Sequence, residues 1–320
     1  AEGKLCVFTE NRKVEKWMNI KVKKAFGLSI SGHNLLCNCS DGLVRIFHTE
    51  TLEHILTLPK PPTLGSANQT IGMKKTKPST SGDSKYADCI AVEMDGHKER
   101  VVTVYSDRMV LIWDLTIKEK VKVMRAFLSH NGPIYDIEIL PDSTYEITKF
   151  ATCSTDKTIR FWNFYDYSNS DLQSLVKRNI YCKELEKIIY VSKDYEHFKA
   201  KEANDETNSS MVNDIDLSMQ LRCLKPSPDG KHIACGDLTG QIKVFDCETS
   251  EEINSFNAHD QEVVCLDYSP FLDEDDNYIL ASGSRDRLIH IYSSGENYQD
   301  INNLEGHSSS IVTVRFAFDP

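Results

Sequence analysis

Thr152-Cys-Ser-Thr-Asp-Lys-Thr-Ile-Arg-Phe-Trp-Asn163 is the stretch whose reading decides the fold. It reads as strand, two-residue turn, strand. Thr152 and Ser154 share one face before the turn, and Ile159 and Phe161 share one after it, with Trp162 on the other side. Alternation at period two marks strands half-buried on each side. Asp156 falls where the chain must reverse, and a short carboxylate there can accept hydrogen bonds from the amides of its own turn.

The same pattern recurs along the chain. Ser40-Asp-Gly-Leu-Val-Arg-Ile-Phe47, Ser106-Asp-Arg-Met-Val-Leu-Ile-Trp-Asp114 and Ser284-Arg-Asp-Arg-Leu-Ile-His-Ile-Tyr292 are further copies, and Gly236-Asp-Leu-Thr-Gly-Gln-Ile-Lys-Val-Phe-Asp246 is a weaker one. Turn and aromatic pair at constant spacing: Asp41 with Phe47, Asp107 with Trp113, Asp156 with Trp162, Thr239 with Phe245, Asp286 with Tyr292. The shorter gaps between turns approach the period of about 40–45 residues of four-stranded propeller blades, each of which must stack on a neighbour to bury its faces. The longer gaps require insertions or a hidden blade.

These hairpins resemble WD40 repeats, and the Gly-His element expected before each first strand is partly present as Ser129-His130, Ala258-His259 and Gly306-His307. The resemblance implies an all-β WD40 β-propeller of about six to seven four-stranded blades, the first and last incomplete in this chain. It also implies a hydrogen-bonded chain of His, strand hydroxyl, turn Asp and aromatic within a blade. Carried over, that is His130, Ser154 (or Thr152), Asp156 and Trp162 in one blade, and His259, Ser284 (or Ser282), Asp286 and Tyr292 in another.

Residues 25–58 read as a complete blade, as do residues 89–127, residues 130–165 with Lys187–Val191 as the outer part, residues 221–256 and residues 262–304. Leu5–Phe8 and Val14–Trp17 form only the second half of a blade. Ile311–Phe316 is a first strand without successors. The whole of 1–320 is therefore expected to be one propeller region excised from a longer array, an expectation that the Ala1 start and the lack of a signal peptide also favour. Segments 60–86 and 193–218, rich in polar and charged residues without periodicity, are expected to be flexible insertions.

Composition narrows the function classes. The 320 residues are 40% hydrophobic, enough for a large core. No apolar run approaches the 18 or more residues of a spanning helix, so a soluble chain with no membrane partner is expected. The ten cysteines occur singly, several in strand-like runs (Cys37, Cys39, Cys89, Cys153, Cys223, Cys235, Cys265), as free thiols in a reduced interior do. A net charge of −11 disfavours nucleic acid, whose phosphates require a basic footprint. Asp273-Glu-Asp-Asp276 reads as a solvated loop, with an acidic docking patch as the sharper alternative.

No phosphate loop, Gly-x-Gly-x-x-Gly, Cys-x-x-Cys or His-Glu-x-x-His motif is present. Cys37 and Cys39 supply only half a zinc site. The expectation is no catalytic residue, metal, cofactor or small-molecule substrate. The alternative is an enzyme working in a propeller's central channel. Arg108, Lys157, Arg285 and Arg287 flank the turns and are the candidate protein contacts, because a few arginines and aromatics dominate such interfaces.

Particular strings are closer to one family. Leu5-Cys-Val-Phe8 with Glu15-Lys-Trp17, Asp41-Gly-Leu-Val-Arg-Ile-Phe47, Leu58-Pro-Lys-Pro61 with Leu64-Gly65, Lys187-Ile-Ile-Tyr-Val191, Ala258-His-Asp260, Ser284-Arg-Asp-Arg-Leu-Ile-His290 and His307-Ser-Ser-Ser-Ile311 are similar to those of the family of mitogen-activated protein kinase binding protein one and the microcephaly-associated WD-repeat protein. That resemblance implies a non-catalytic scaffold that binds kinase-cascade, centrosomal or microtubule-associated proteins. It implies a cytoplasmic location, with spindle pole, centrosome or basal body as the finer expectation.

Overall fold

A computed structural model describes residues 3–9, 11–61, 86–96, 99–141, 149–163, 184–192, 219–295 and 297–317. The expected insertions fall almost wholly outside these residues. Among the described residues the chain forms 22 strands and a single 3-10 turn at Lys118–Lys120. They divide into two units, Ala1–Ile134 and Tyr135–Pro320.

In the first unit, β1 (Lys4–Phe8) and β2 (Val14–Asn19) make a two-stranded hairpin. Two four-stranded meanders follow. One is β3 (Ala25–Ser31), β4 (Asn34–Cys39), β5 (Val44–His48) and β6 (His54–Thr57). The other is β7 (Cys89–Asp95), β8 (Arg100–Tyr105), β9 (Val110–Asp114) and β10 (Lys122–Phe127).

The second unit holds three meanders. The first is β11 (Ile134–Leu140), β12 (Lys149–Ser154), β13 (Thr158–Asn163) and β14 (Leu185–Tyr190). The second is β15 (Leu221–Pro226), β16 (His232–Asp237), β17 (Gln241–Asp246) and β18 (Glu252–Asn257). The third is β19 (Val263–Tyr268), β20 (Ile279–Ser284), β21 (Ile289–Ser293) and β22 (Gln299–Leu304). All are antiparallel with strands in chain order, so the fold is all-β and of the WD40-propeller class.

Burial follows position within a sheet. The second strands are buried almost throughout: β8 has six buried residues of six, and β12, β16 and β20 have five of six. The fourth strands are the least covered: β6 and β18 have no buried residue, β10 and β14 have one each, and every residue of β22 is exposed. The half-buried pattern read from Thr152–Ser154 therefore does not hold, since Phe150 to Ser154 are all buried. A central strand with a sheet packed on each face has no solvent side for its alternation to report. Leu36, Val44, Ile46 and Leu58 pack with Val101, Leu111 and Trp113 of the next sheet. Ala151, Ile159 and Phe161 pack with Leu224, Ile233 and Phe245, while Ile242 and Val244 pack with Leu266, Leu280 and Tyr292.

First strands are also joined by polar groups. Ser29 Oγ donates to Glu93 across β3 and β7 at 2.9 Å. In the second unit Glu138, Lys225, Asp267 and Arg315 alternate in charge on successive elements, with separations of 2.9, 3.6 and 3.3 Å. Burial alone would lower the Lys225 pKa, but Glu138 and Asp267 outweigh it and the net shift is upward.

Two sequence expectations need correction. Ile311–Phe316 belongs to no sheet among the described residues. It lies along the last meander through Ile311 N–H donating to Ser284 O at 3.0 Å and Phe316 N–H donating to Asp267 Oδ2 at 2.8 Å. An alternating apolar pattern makes a strand only where a partner edge completes the ladder. The organising turn is also longer than two residues: β12 ends at Ser154 and β13 begins at Thr158, with Cys153 opposite Ile159, so Thr155-Asp156-Lys157 is a three-residue loop. The Lys157 N–H bond to Ser154 O at 3.3 Å closes the β-turn inside it. The described cysteines are all free.

Candidate functional site

The turns between second and third strands share one construction. Gly42, Arg108, Lys157 and Arg287 close them with φ of +74°, +72°, +64° and +77°. Their amides donate back to Cys39, Tyr105, Ser154 and Ser284 carbonyls at 3.2, 2.9, 3.3 and 3.3 Å. A type I turn followed by one left-handed residue gives this three-residue hairpin. The Asp before that residue pins it. Leu43, Met109, Thr158 and Leu288 N–H groups donate to Asp41, Asp107, Asp156 and Asp286 Oδ1 at 3.1, 3.1, 3.1 and 2.9 Å.

The fifth turn moves the acid. Asp237 Oδ1 accepts the Thr239 and Gln241 amides, both at 2.9 Å, and the closing residue is Gly240 at φ +97°. Reading Thr239 as the turn position misses Asp237, although the carboxylate stands two residues upstream in the sequence. Gly240 is required twice over, because a Cβ there would meet His259 O at 2.0 Å.

Three of the candidate contacts, Arg108, Lys157 and Arg287, thus occupy the left-handed position itself. Arg108 Nη1 donates to Asn131 O at 2.9 Å. Arg285, one residue before Asp286, forms an ion pair with Glu262.

Behind the turns, Trp113 and Trp162 Nε1 donate to Thr103 and Thr152 Oγ1 at 2.8 and 2.9 Å. The strand hydroxyl beside Trp162 is therefore Thr152. Ser154 serves the turn, its Oγ accepting Asp156 N–H at 3.2 Å. His130 is buried. In the last meander His259 Nδ1 lies 2.9 Å from Asp286 Oδ2, and Nε2 lies 2.7 Å from Ser282 Oγ. A carboxylate can only accept, so Nδ1 carries the proton and Nε2 accepts from Ser282.

Ser282, not Ser284, is the hydroxyl at the level of the imidazole. Ser284 lies two residues along the same face and bonds Gln261 O and Asp286 N–H instead. Period two places both on one side of the strand, so sequence alone does not choose between them. Tyr292 sits below, its ring 4.8 Å from Phe256. Burial raises its phenol pKa against a hydrogen bond with Ser282.

Burial holds the His259 pKa below its ordinary value against the pull of Asp286. Burial pushes the Asp286 carboxyl up, but bonds from Leu288 N–H, His259 and Asp260 N–H carry it below the usual range. The order Asp286–His259–Ser282 has the connectivity of an acyl-transfer triad. Ser282 is 0% exposed and packed inside the sheet, with no approach for a substrate. The arrangement fixes the loop before β19 to the turn between β20 and β21. Among the described residues no cluster of three or more metal-ligating side chains occurs. Among the described residues no helix is long and apolar enough to cross a membrane.

Stacked four-stranded meanders with Asp-pinned turns define a WD40-repeat protein. The model of the WD domain, G-beta repeat, matches residues 121–163 and 250–293, and that of the anaphase-promoting complex subunit 4 WD40 domain matches residues 181–270. Within that class the chain is homologous to WD repeat-containing protein 62 of Sus scrofa, at 35% identity over 98% of this chain and 20% of that one. It is likewise homologous to mitogen-activated protein kinase-binding protein 1 of Mus musculus, at 32% identity over 99% of this chain and 21% of that one. A shorter stretch, 27% of the chain, is 36% identical to echinoderm microtubule-associated protein-like 1 of Homo sapiens. The chain spans about a fifth of the length of the first two relatives.

Proposed function

We propose that this WD40 segment is a non-catalytic protein-binding scaffold whose contacts come from the turns between second and third strands. The observation that carries the reading is the fixing of charged side chains on pinned, left-handed turn positions. Arg108, Lys157 and Arg287 are presented by backbone that the adjacent aspartates already hold, so binding orders little chain. The hydroxyl–histidine–aspartate chain behind one such turn is buried and serves rigidity.

The finer reading rests on relatives. One is named for binding a mitogen-activated protein kinase, and a partial match is named for microtubule association. The partners are accordingly kinase-cascade or microtubule-associated proteins, in the cytoplasm and at the spindle pole, centrosome or basal body. Charge reversal at Arg108, Lys157 and Arg287 together should reduce recovery of bound proteins in affinity purification while the melting temperature stays within about 2 °C, as expected for surface changes. Recovery equal to wild type would remove these turns from the interface. A fluorescently tagged chain that never concentrates at spindle poles or basal bodies would remove the finer location.

A further inference from the structure

Arg222 and Arg285 meet at one carboxylate. Arg222 Nε pairs with Glu262 Oε1 and Arg285 Nε pairs with Glu262 Oε2. Glu262 immediately precedes β19 and its side chain is 8% exposed, whereas those of Arg222 and Arg285 are 25% and 55% exposed. Each arginine sets its inner nitrogen beside one oxygen of the shared acid as an ion pair, and Oε1 completes no hydrogen bond there. Among the described residues neither has a second acceptor for its outer nitrogens.

Three features hold the pair in place. Arg222 is the extra residue of a bulge in β15, where Leu221 pairs with Asp237 and Cys223 with Gly236. Bulges re-aim the residue they expel from the ladder. The Arg222 guanidinium lies over the Tyr135 ring at 3.8 Å, which fixes the plane of its fork. Arg285 N–H donates to Glu262 O at 3.1 Å, tying the turn to the segment that carries the acid.

Two guanidinium groups on one carboxylate leave the cluster with an excess positive charge, in a chain of net charge −11. The nearest acid of the turn, Asp286, is already engaged by His259. Guanidinium forks match the oxygens of carboxylates and phosphates in bidentate geometry.

We propose that Arg222 and Arg285 form a clamp for an oxyanionic side chain on a partner peptide. The shared chemistry is a tetrahedral phosphate or a planar carboxylate: a phosphorylated serine or threonine, or a glutamate. This rests on the scaffold reading above and names what one of its turns recognises. Glu262 sets the spacing of the two forks, and Tyr135 keeps one of them from swinging away.

The test uses the whole 320-residue chain on degenerate peptide arrays centred on phosphoserine or phosphothreonine, on glutamate, and on unmodified serine. Wild type should bind the phosphorylated or the glutamate array about tenfold more tightly than the serine array, the scale of one charge-assisted hydrogen bond. Whichever array wins identifies the source of the oxyanion. Arg285→Gln, at an exposed side chain, should bring binding to the serine level without changing the melting temperature. Arg222→Gln should lower binding as far, with some loss of stability because it also removes the Tyr135 contact and a partner of the nearly buried Glu262. Arg285→Lys should recover only part, because an ammonium lacks the fork. Equal binding to all three arrays, or undiminished binding by Arg285→Gln, overturns the clamp. Were the clamp overturned while charge reversal at Arg108, Lys157 and Arg287 still abolished partner recovery, the scaffold reading would stand without it.

Discussion

Replacing Asp286 with alanine tests the polar network most directly. The carboxylate accepts three donors: His259 Nδ1–H at 2.9 Å, Leu288 N–H at 2.9 Å and Asp260 N–H at 3.2 Å. The donors differ in what water can restore. The His259 side chain is 0% exposed, so its proton would stay buried without an acceptor, at a cost of about 1–3 kcal/mol. Asp260 is exposed and its amide can turn to water. Leu288 closes the turn and is partly exposed, so losing its bond costs roughly 1 kcal/mol. The total is about 2–4 kcal/mol, which for a unit of this size lowers the melting transition by roughly 5–10 °C.

The assay is urea or thermal unfolding followed by circular dichroism, with His259→Phe and the double variant completing a cycle. A coupling near zero, or a loss under about 0.5 kcal/mol for Asp286→Ala, would show that the network does not hold the turn. The pH dependence supplies a second readout. The folded His259 pKa lies below its unfolded value, so the unfolded chain binds more protons and stability falls as pH drops below about 6.5. Asp286, with a depressed folded pKa, adds stability above about pH 4 that is lost on further acidification.

Two further outcomes follow from buried geometry. Gly240→Ala forces a Cβ to within 2.0 Å of His259 O at a φ of +97°, and should cost about 3 kcal/mol or more; a folded variant with an unshifted urea midpoint would contradict the close approach. Burial and the neighbouring Glu138 push the Asp136 carboxyl up to about 7. Its contribution is present below about pH 4 and is lost as pH rises towards 7, so Asp136→Asn should flatten the stability profile across that range, while giving up one of the two amide bonds its oxygens accept from Ile137 and Leu224. A pH profile as steep between about pH 4 and 7 as that of the wild type would show that Asp136 does not titrate there.

The fold was legible in the sequence because each hairpin is a local problem. Asp41, Asp107, Asp156 and Asp286 bond amides two residues away, and the aromatics follow at fixed spacing. Those relations survive in one dimension. The outer strand Leu185–Tyr190 was readable for the same reason, from the run Ile188-Ile-Tyr-Val191, despite the long irregular stretch before it. The choice between Ser282 and Ser284 was not readable, since both lie on one strand face and only the depth of His259 decides.

What the chain by itself determined is the repeated turn and the all-β meander, because an acid capping its own amides and an apolar period of two need no distant partner. The tertiary structure alone decided where burial ends the alternation, which hydroxyl meets the imidazole, and which edge remains without a ladder. It also brought Tyr135, Arg222, Glu262 and Arg285 together from three sheets. That meeting depends on sheets stacking and on a bulge turning one side chain aside. Neither sheet stacking nor a bulge leaves a spacing that a linear pattern can carry.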